Sequence, residues 1–242
     1  MNEHLKDAVS GKEISPVLWK AGIRLLLTTV VMLSILFLAA GRLDWWEAWA
    51  YAAMAMVILI SSRLTLLLKN PELALERVEA ASQENVKSWD KVLMPVTAIF
   101  GPVLSWIIAG LDLRFGWSPN LPDSIQIIAL GVIFSGSGIG SWAMIVNRFF
   151  SSHVRIQTDR GHTVVSDGPY RLVRHPGYAG NILAWVAAPI FFSSYWVVLP
   201  AVLVIIISII RTAWEDQTLQ DELPGYSEYA GRVKYRLFPG IW

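Results

Sequence analysis

The sequence predicts an all-α integral membrane protein of about six transmembrane helices, with a large loop and a polar tail on the cytoplasmic side. Three observations carry this expectation. The chain of 242 residues is 54% hydrophobic and only 16% charged, with 12 tryptophans. A soluble domain of that composition would lack a water-compatible surface. Six apolar stretches recur along the chain, at 25–40, 45–62, 92–111, 125–146, 178–192 and 195–214. Basic residues then fall almost entirely into alternate connections.

A bilayer core is about 30 Å thick and takes roughly 20 helical residues. The first stretch follows a polar N-terminus and precedes five others, so it reads as a retained helix and not a signal peptide. The fifth is short. Ser193-Ser194 splits it from the sixth, with Pro189 and Pro200 nearby. Of the 20 lysines and arginines, only Arg42 and Arg114 fall outside segments 1–24, 63–91, 147–178 and 211–242. The positive-inside rule therefore predicts a multi-pass protein with both termini cytoplasmic, and reads 178–214 as a hairpin of two helices. Trp45, Trp46, Trp117 and Trp196 fall at the opposite ends, as an interfacial aromatic belt would. Residues 70–90 carry Leu73, Leu75, Val78 and Ala81 at helical spacing, which predicts a short amphipathic helix on the membrane surface.

Several features read as structure. Gly136 and Gly140, with Ser137 and Ser141 alongside, lie inside the fourth span and follow no strand. That is small-residue helix packing and not a nucleotide loop. Asp112, Arg114 and Asp123, near Pro119 and Pro122, read as a solvated turn. His153, His162 and His175 share a loop with Asp159 and Asp167, but their spacing matches no standard site, and no metal is expected. The chain has no cysteine, which removes disulfides, thiol nucleophiles and thiolate zinc sites. No basic patch with interleaved aromatics suggests nucleic acid. The chain divides into helices one to four over 1–146 and a catalytic region over 147–242.

The chemistry concentrates in "GPYRLVRHPGYAG", residues 168–180. Asp167-Gly168-Pro169-Tyr170 is turn chemistry. His175-Pro176 restricts the histidine backbone, and a helix can open with Pro176 in its first turn. Arg174, His175 and Tyr178 are thereby presented from a rigid frame near a helix N-terminus, which attracts a carboxylate or phosphate. A basic anchor touching lipid phosphates is the plainer alternative. The sixth span ends with Arg211 and Glu215-Asp216. Arg211 and Glu215, four apart, can pair on one helix face. Two carboxylates at the end of an apolar helix need cations, and a ligand cation or Arg174 can meet the second. A structural salt-bridge cluster is the alternative here. Tyr226, Tyr229 and "VKYRLFPGIW" can cover the site.

The order "VRIQTDRGHTVVSDGPYRLVRHPGYAGNIL", an apolar hairpin, then "RTAWEDQTLQDELPGYSEYAGRVKYRLFP" resembles the isoprenylcysteine carboxyl methyltransferase family and the related phospholipid methyltransferases. It covers roughly residues 147–239; helices one to three carry no matching motif. The resemblance implies a membrane methyltransferase using S-adenosylmethionine in a pocket built by loop and hairpin. It implies that His162, Val164 and Val165 line the cofactor, that Gly168 and Tyr170 form its turn, and that His175, Pro176 and Tyr178 contact its adenosyl and carboxylate ends. Glu215 and Asp216 resemble the paired acids, although the family usually has two glutamates and Asp216 is one methylene shorter. Arg211 resembles the arginine near the reacting centre. The implied acceptor is lipid-like, with the carboxylate of an isoprenylcysteine-type substrate first and a phospholipid amine second; membrane lipids are the other partners. Membrane sterol reductases share the Arg-His-Pro-x-Tyr segment and bind NADPH, but they usually carry other residues at the positions of Gly177 and Asn181.

Overall fold

A computed structural model describes residues 14–69 and 86–242. Seven helices order the described residues. They are α1 (Ile14–Ala40), α2 (Trp46–Lys69), α3 (Asp90–Pro95, Val96–Phe100 and Gly101–Phe115, consecutive), α4 (Asp123–Val146), α5 (Pro176–Phe191), α6 (Val198–Glu222) and α7 (Tyr226–Arg232). No strand occurs among the described residues. All but the last five residues (86–90) of the amphipathic helix expected over 70–90 lie outside the described residues.

Five of these helices, α1, α2, α3, α4 and α6, are long and apolar enough to cross a membrane. The remaining expected span, the fifth, is α5. Its 16 residues extend about 24 Å at 1.5 Å per residue, short of the roughly 30 Å core. The chain is an all-α, multi-pass membrane protein, with five helices of spanning length and a shorter α5 folded against them. The hairpin is present: α5 and α6 are separate helices joined by a turn in which Ser193 takes φ 51°.

Local chemistry sets the element ends. Pro176 opens α5 in its first turn, where its missing N–H has no helical partner to lose. α3 ends at Gly116, φ 64°, whose N–H returns to the Asp112 carbonyl, a left-handed closure that glycine adopts without a Cβ penalty. In the middle of α3, Pro95 and Pro102 flank a wide π turn over Val96–Phe100, because each proline removes a ladder donor. The turn brings Gly101 against Val204 of α6, where a Cβ would overlap the valine side chain.

α4 and α5 pack backbone to backbone. A Cβ at Gly136 would meet the Gly180 carbonyl, and one at Gly180 would meet that of Gly136. This is the close approach that small residues permit between membrane helices. At the end away from the loop, Phe191, Phe192, Val197 and Leu36 form the core. Trp45 belongs to that core and not to the aromatic belt: it is 3% exposed and packs on Phe192 at 5.8 Å. Trp46, Trp117 and Trp196 are exposed.

Asp112 also departs from its expected role. It is 2% exposed and accepts from the Ser118 N–H and hydroxyl, both at 2.7 Å, and from the Ser194 hydroxyl. The carboxylate ties the end of α3 to the α5–α6 turn, so it is a buried clamp. Arg114 and Asp123 are exposed, as a solvated turn requires.

Candidate active site at the loop end of the bundle

α6 continues two turns beyond its apolar stretch, to Glu222, carrying Glu215 and Asp216 past the point where the sequence pattern ends, with Arg211 one turn before them. Side-chain bonds one turn apart support this polar extension: Gln217 to Asp221 at 2.8 Å and Gln220 to Asp216 at 2.8 Å. Loop 147–175 and the tail after α6 fold over it. The Arg174 and His175 N–H groups donate to the Tyr235 and Arg236 carbonyls, both at 2.9 Å. Tyr229 donates to the Tyr170 carbonyl at 2.7 Å.

Asp216 anchors this assembly. It is fully buried. Arg174 binds it with two nitrogens, at 2.7 and 2.9 Å, a bidentate fork. His175 Nε2 at 3.1 Å, Tyr226 at 3.0 Å and Arg236 at 2.9 Å join Gln220 to complete the set. The expected Arg174–acid pairing is therefore present. With its oxygens saturated, however, Asp216 does not line the cavity described below; it organises the residues that do. Arg174 also donates to the Val233 and Lys234 carbonyls. Burial works against its charge, but Asp216 outweighs that, and its pKa is raised. Burial, reinforced by the charge of Asp216, pushes the Tyr226 hydroxyl well above the usual phenol range.

Glu215, one residue earlier, points the other way. It accepts from the Tyr178 hydroxyl at 2.8 Å and faces the cavity. Arg211 does not pair with it. The guanidinium turns to Asp90, the first residue of α3, at 2.7 Å, and also donates to Thr97 and to the Ser152 carbonyl. It stacks over the Tyr178 ring at 5.4 Å. Asp90 is fully buried and accepts from the Val154 N–H at 2.8 Å. A fully buried carboxylate is a stronger attractor for a guanidinium than one facing an open cavity. Asp90 was not legible as a site residue, although an acid at the mouth of an apolar helix was a signal. Thr97 and Arg236 carried none.

The cavity between loop, tail and helices has a volume of about 780 Å³, within the usual range for small-molecule sites. Of the residues singled out in the sequence, His162, Val164, Val165, Tyr170, Arg174, His175, Tyr178, Arg211 and Glu215 line it, joined by Asn181, Tyr226 and Tyr229. Gly168 and Pro176 do not line it. Gly168, φ 55°, lies tight against Trp142 and Val146, and Pro176 starts α5; both shape the backbone. His162 packs on Phe149 at 4.5 Å and its Nδ1 accepts from the Gln157 N–H at 3.3 Å. Burial, with Arg155 and Arg160 nearby, lowers its pKa to about 4. The loop histidines go to three different partners: His153 to Asp90, His162 to Phe149 and His175 to Asp216. Among the described residues, no group of three or more His, Asp or Glu gathers as a metal site.

A polar cavity at one end of a multi-pass helical bundle, roofed by an Arg-His-Pro-x-Tyr loop and an acidic helix end, defines a small-molecule site in a membrane protein. Residues 128–221 match the family model described as Isoprenylcysteine carboxyl methyltransferase (ICMT) family, so this segment is similar to a methyltransferase family. The match begins inside α4 and stops at the end of α6, leaving out both α1–α3 and the tail whose Tyr226 and Arg236 bond Asp216. No curated protein matches the chain.

Proposed function

We propose that the protein is an S-adenosylmethionine-dependent methyltransferase acting on a lipid-like acceptor, most simply the carboxylate of an isoprenylcysteine-type substrate. The observation that carries this reading is Glu215, an acid facing the cavity beside the Tyr178 ring. A carboxylate and aromatic faces suit a sulfonium cation. The cluster of Arg174, Arg236 and Asp216 retains a net positive charge next to the start of α5, which suits the cofactor's amino-acid carboxylate. Tyr170, Tyr226 and Tyr229 offer rings and an apolar wall for adenine. The donor set therefore fits the cofactor. When bound, the cofactor supplies an electrophilic methyl group.

The residues' task is alignment and exclusion of water. Asp216 fixes Arg174, His175 and Tyr226 from below, so the loop and tail form one wall. Arg211, held by Asp90, fixes Tyr178, and Tyr178 fixes Glu215. A carboxylate acceptor is already ionised and needs no general base. With an amine acceptor, Glu215 or His175 is placed to take the proton. The distribution of basic residues supports placing both termini and the cavity on the cytoplasmic side. It also supports treating 147–242 as the catalytic region, with α1–α3 completing the acceptor side.

A thermal-shift titration of detergent-purified protein tests the cofactor. S-adenosylhomocysteine at a hundred times its Kd adds about 2.7 kcal/mol of apparent stability, and NADPH adds none. A shift with NADPH alone overturns the reading.

A further inference from the structure

Among the described residues, the charges lining the cavity do not balance: Glu215 is the one acid, against Arg24, Arg63, Arg155, Arg174 and Arg211. Arg174 is met by Asp216, Arg211 by Asp90 and Arg155 by Asp159. Arg24 and Arg63 remain, and among the described residues neither meets a carboxylate. Arg24 lies near the start of the α1 span and Arg63 near the end of the α2 span, so the antiparallel helices bring them to the same end of the bundle. Both side chains are exposed. Arginine inside a membrane span is costly unless an anion or water meets it. Two of them on one cavity, beside Met94, Ala98 and Ile99 of α3, make an apolar surface ending in a cationic pair. That wall belongs to α1–α3, outside the segment matched to the family.

We infer that Arg24 and Arg63 form the seat for the anionic end of the acceptor, and that they, not Arg211, orient its carboxylate. Arg211 is less suited to that task because Asp90 balances its charge and takes its Nε–H, and Thr97 and the Ser152 carbonyl each take a further N–H. The acceptor is then an anionic amphiphile. Its chain lies along α3, and its carboxylate is held by guanidiniums on the side of the cavity opposite the tail. The pair are positioning and specificity residues. This rests on the methyltransferase reading above for the identity of the carboxylate, but the charge preference is measurable without turnover.

The test uses full-length protein in nanodiscs of neutral lipid. Binding is measured for S-farnesyl-N-acetylcysteine, its neutral methyl ester and S-adenosylhomocysteine, together with KM for the acid. Wild type should bind the acid at least tenfold tighter than the ester. Arg24→Gln and Arg63→Gln should each remove most of that preference and raise KM, the double variant should remove all of it, and S-adenosylhomocysteine affinity should stay within twofold. Arg24→Lys and Arg63→Lys should retain part of the preference, which separates lost charge from lost folding. An unchanged acid preference in the double variant overturns the inference, as does a parallel loss of S-adenosylhomocysteine affinity. Equal displacement of the acid by phosphatidic acid vesicles also overturns it, making the pair a phospholipid headgroup seat. An arginine-dependent acid preference without methyl transfer sinks the functional reading alone. Methyl transfer with unchanged KM in the double variant sinks this inference alone.

Discussion

Arg211 and Asp90 meet at 2.7 Å although 121 residues separate them in the chain. The pair joins the first residue of α3 to the point where α6 becomes polar, and Trp89 packs edge-on against Trp214 at 5.1 Å beside it. Both partners are nine-tenths or more buried. Removing one partner leaves an uncompensated charge, which typically costs roughly 3–5 kcal/mol. Asp90→Asn is therefore expected to lower the unfolding temperature strongly, and Asp90→Asn combined with Arg211→Met to recover part of the loss. Thermal unfolding in detergent checks this; a single variant as stable as wild type would make the pair dispensable.

Glu215 yields a sharper prediction because it has a neutral control. S-adenosylmethionine carries a sulfonium charge and S-adenosylhomocysteine does not. Glu215→Gln keeps the Tyr178 contact but removes the negative charge. It is expected to weaken binding of the charged cofactor about tenfold, roughly 1.4 kcal/mol, with a smaller effect on the neutral product. Equal losses for both ligands would assign Glu215 a packing role.

These two acids show what was legible. Composition and the spacing of apolar runs revealed the membrane class and the hairpin, because burial in lipid imposes a length and a polarity that survive in the sequence. The loop residues His162, Tyr170, Arg174 and His175, with Tyr178 in the first turn of α5, do converge on one cavity. Partner choice was not legible. Arg211 and Glu215 have the spacing of a helical pair, yet tertiary burial of Asp90 takes the arginine away. Asp216 looks equivalent to Glu215 in sequence, but a step of about 100° around the helix aims it into the wall and not the cavity. Asp112 looked like a solvated turn because nothing local reveals Ser194, 82 residues on.

The contact between α4 and α5 leaves no room for side chains. Gly180→Val would drive a branched side chain into the Gly136 carbonyl. Overpacking of this kind costs about 1–3 kcal/mol, and here it also separates the helix that carries Tyr178 from α4. Reduced thermal stability together with weaker S-adenosylhomocysteine binding is expected. Gly138→Ala, on α4 two residues from Gly136 with open space around it, should change neither.

His162 gives the protein an acid-sensitive element at the cavity wall. Its folded-state pKa of about 4 lies below its ordinary value of 6.5, chiefly because of burial and secondarily because of Arg155 and Arg160. As pH falls through 6.5 the unfolded chain takes up a proton at this position, while the folded chain does not until about pH 4. The unfolded state then binds more protons, so stability declines with falling pH across that window. His162→Gln keeps an acceptor for the Gln157 N–H and carries no titrating group. Its unfolding temperature, followed from pH 7 to pH 4, should fall less steeply than that of wild type. Parallel pH profiles would mean that the imidazole is protonated in the folded protein and that Arg155 and Arg160 do not oppose its charge.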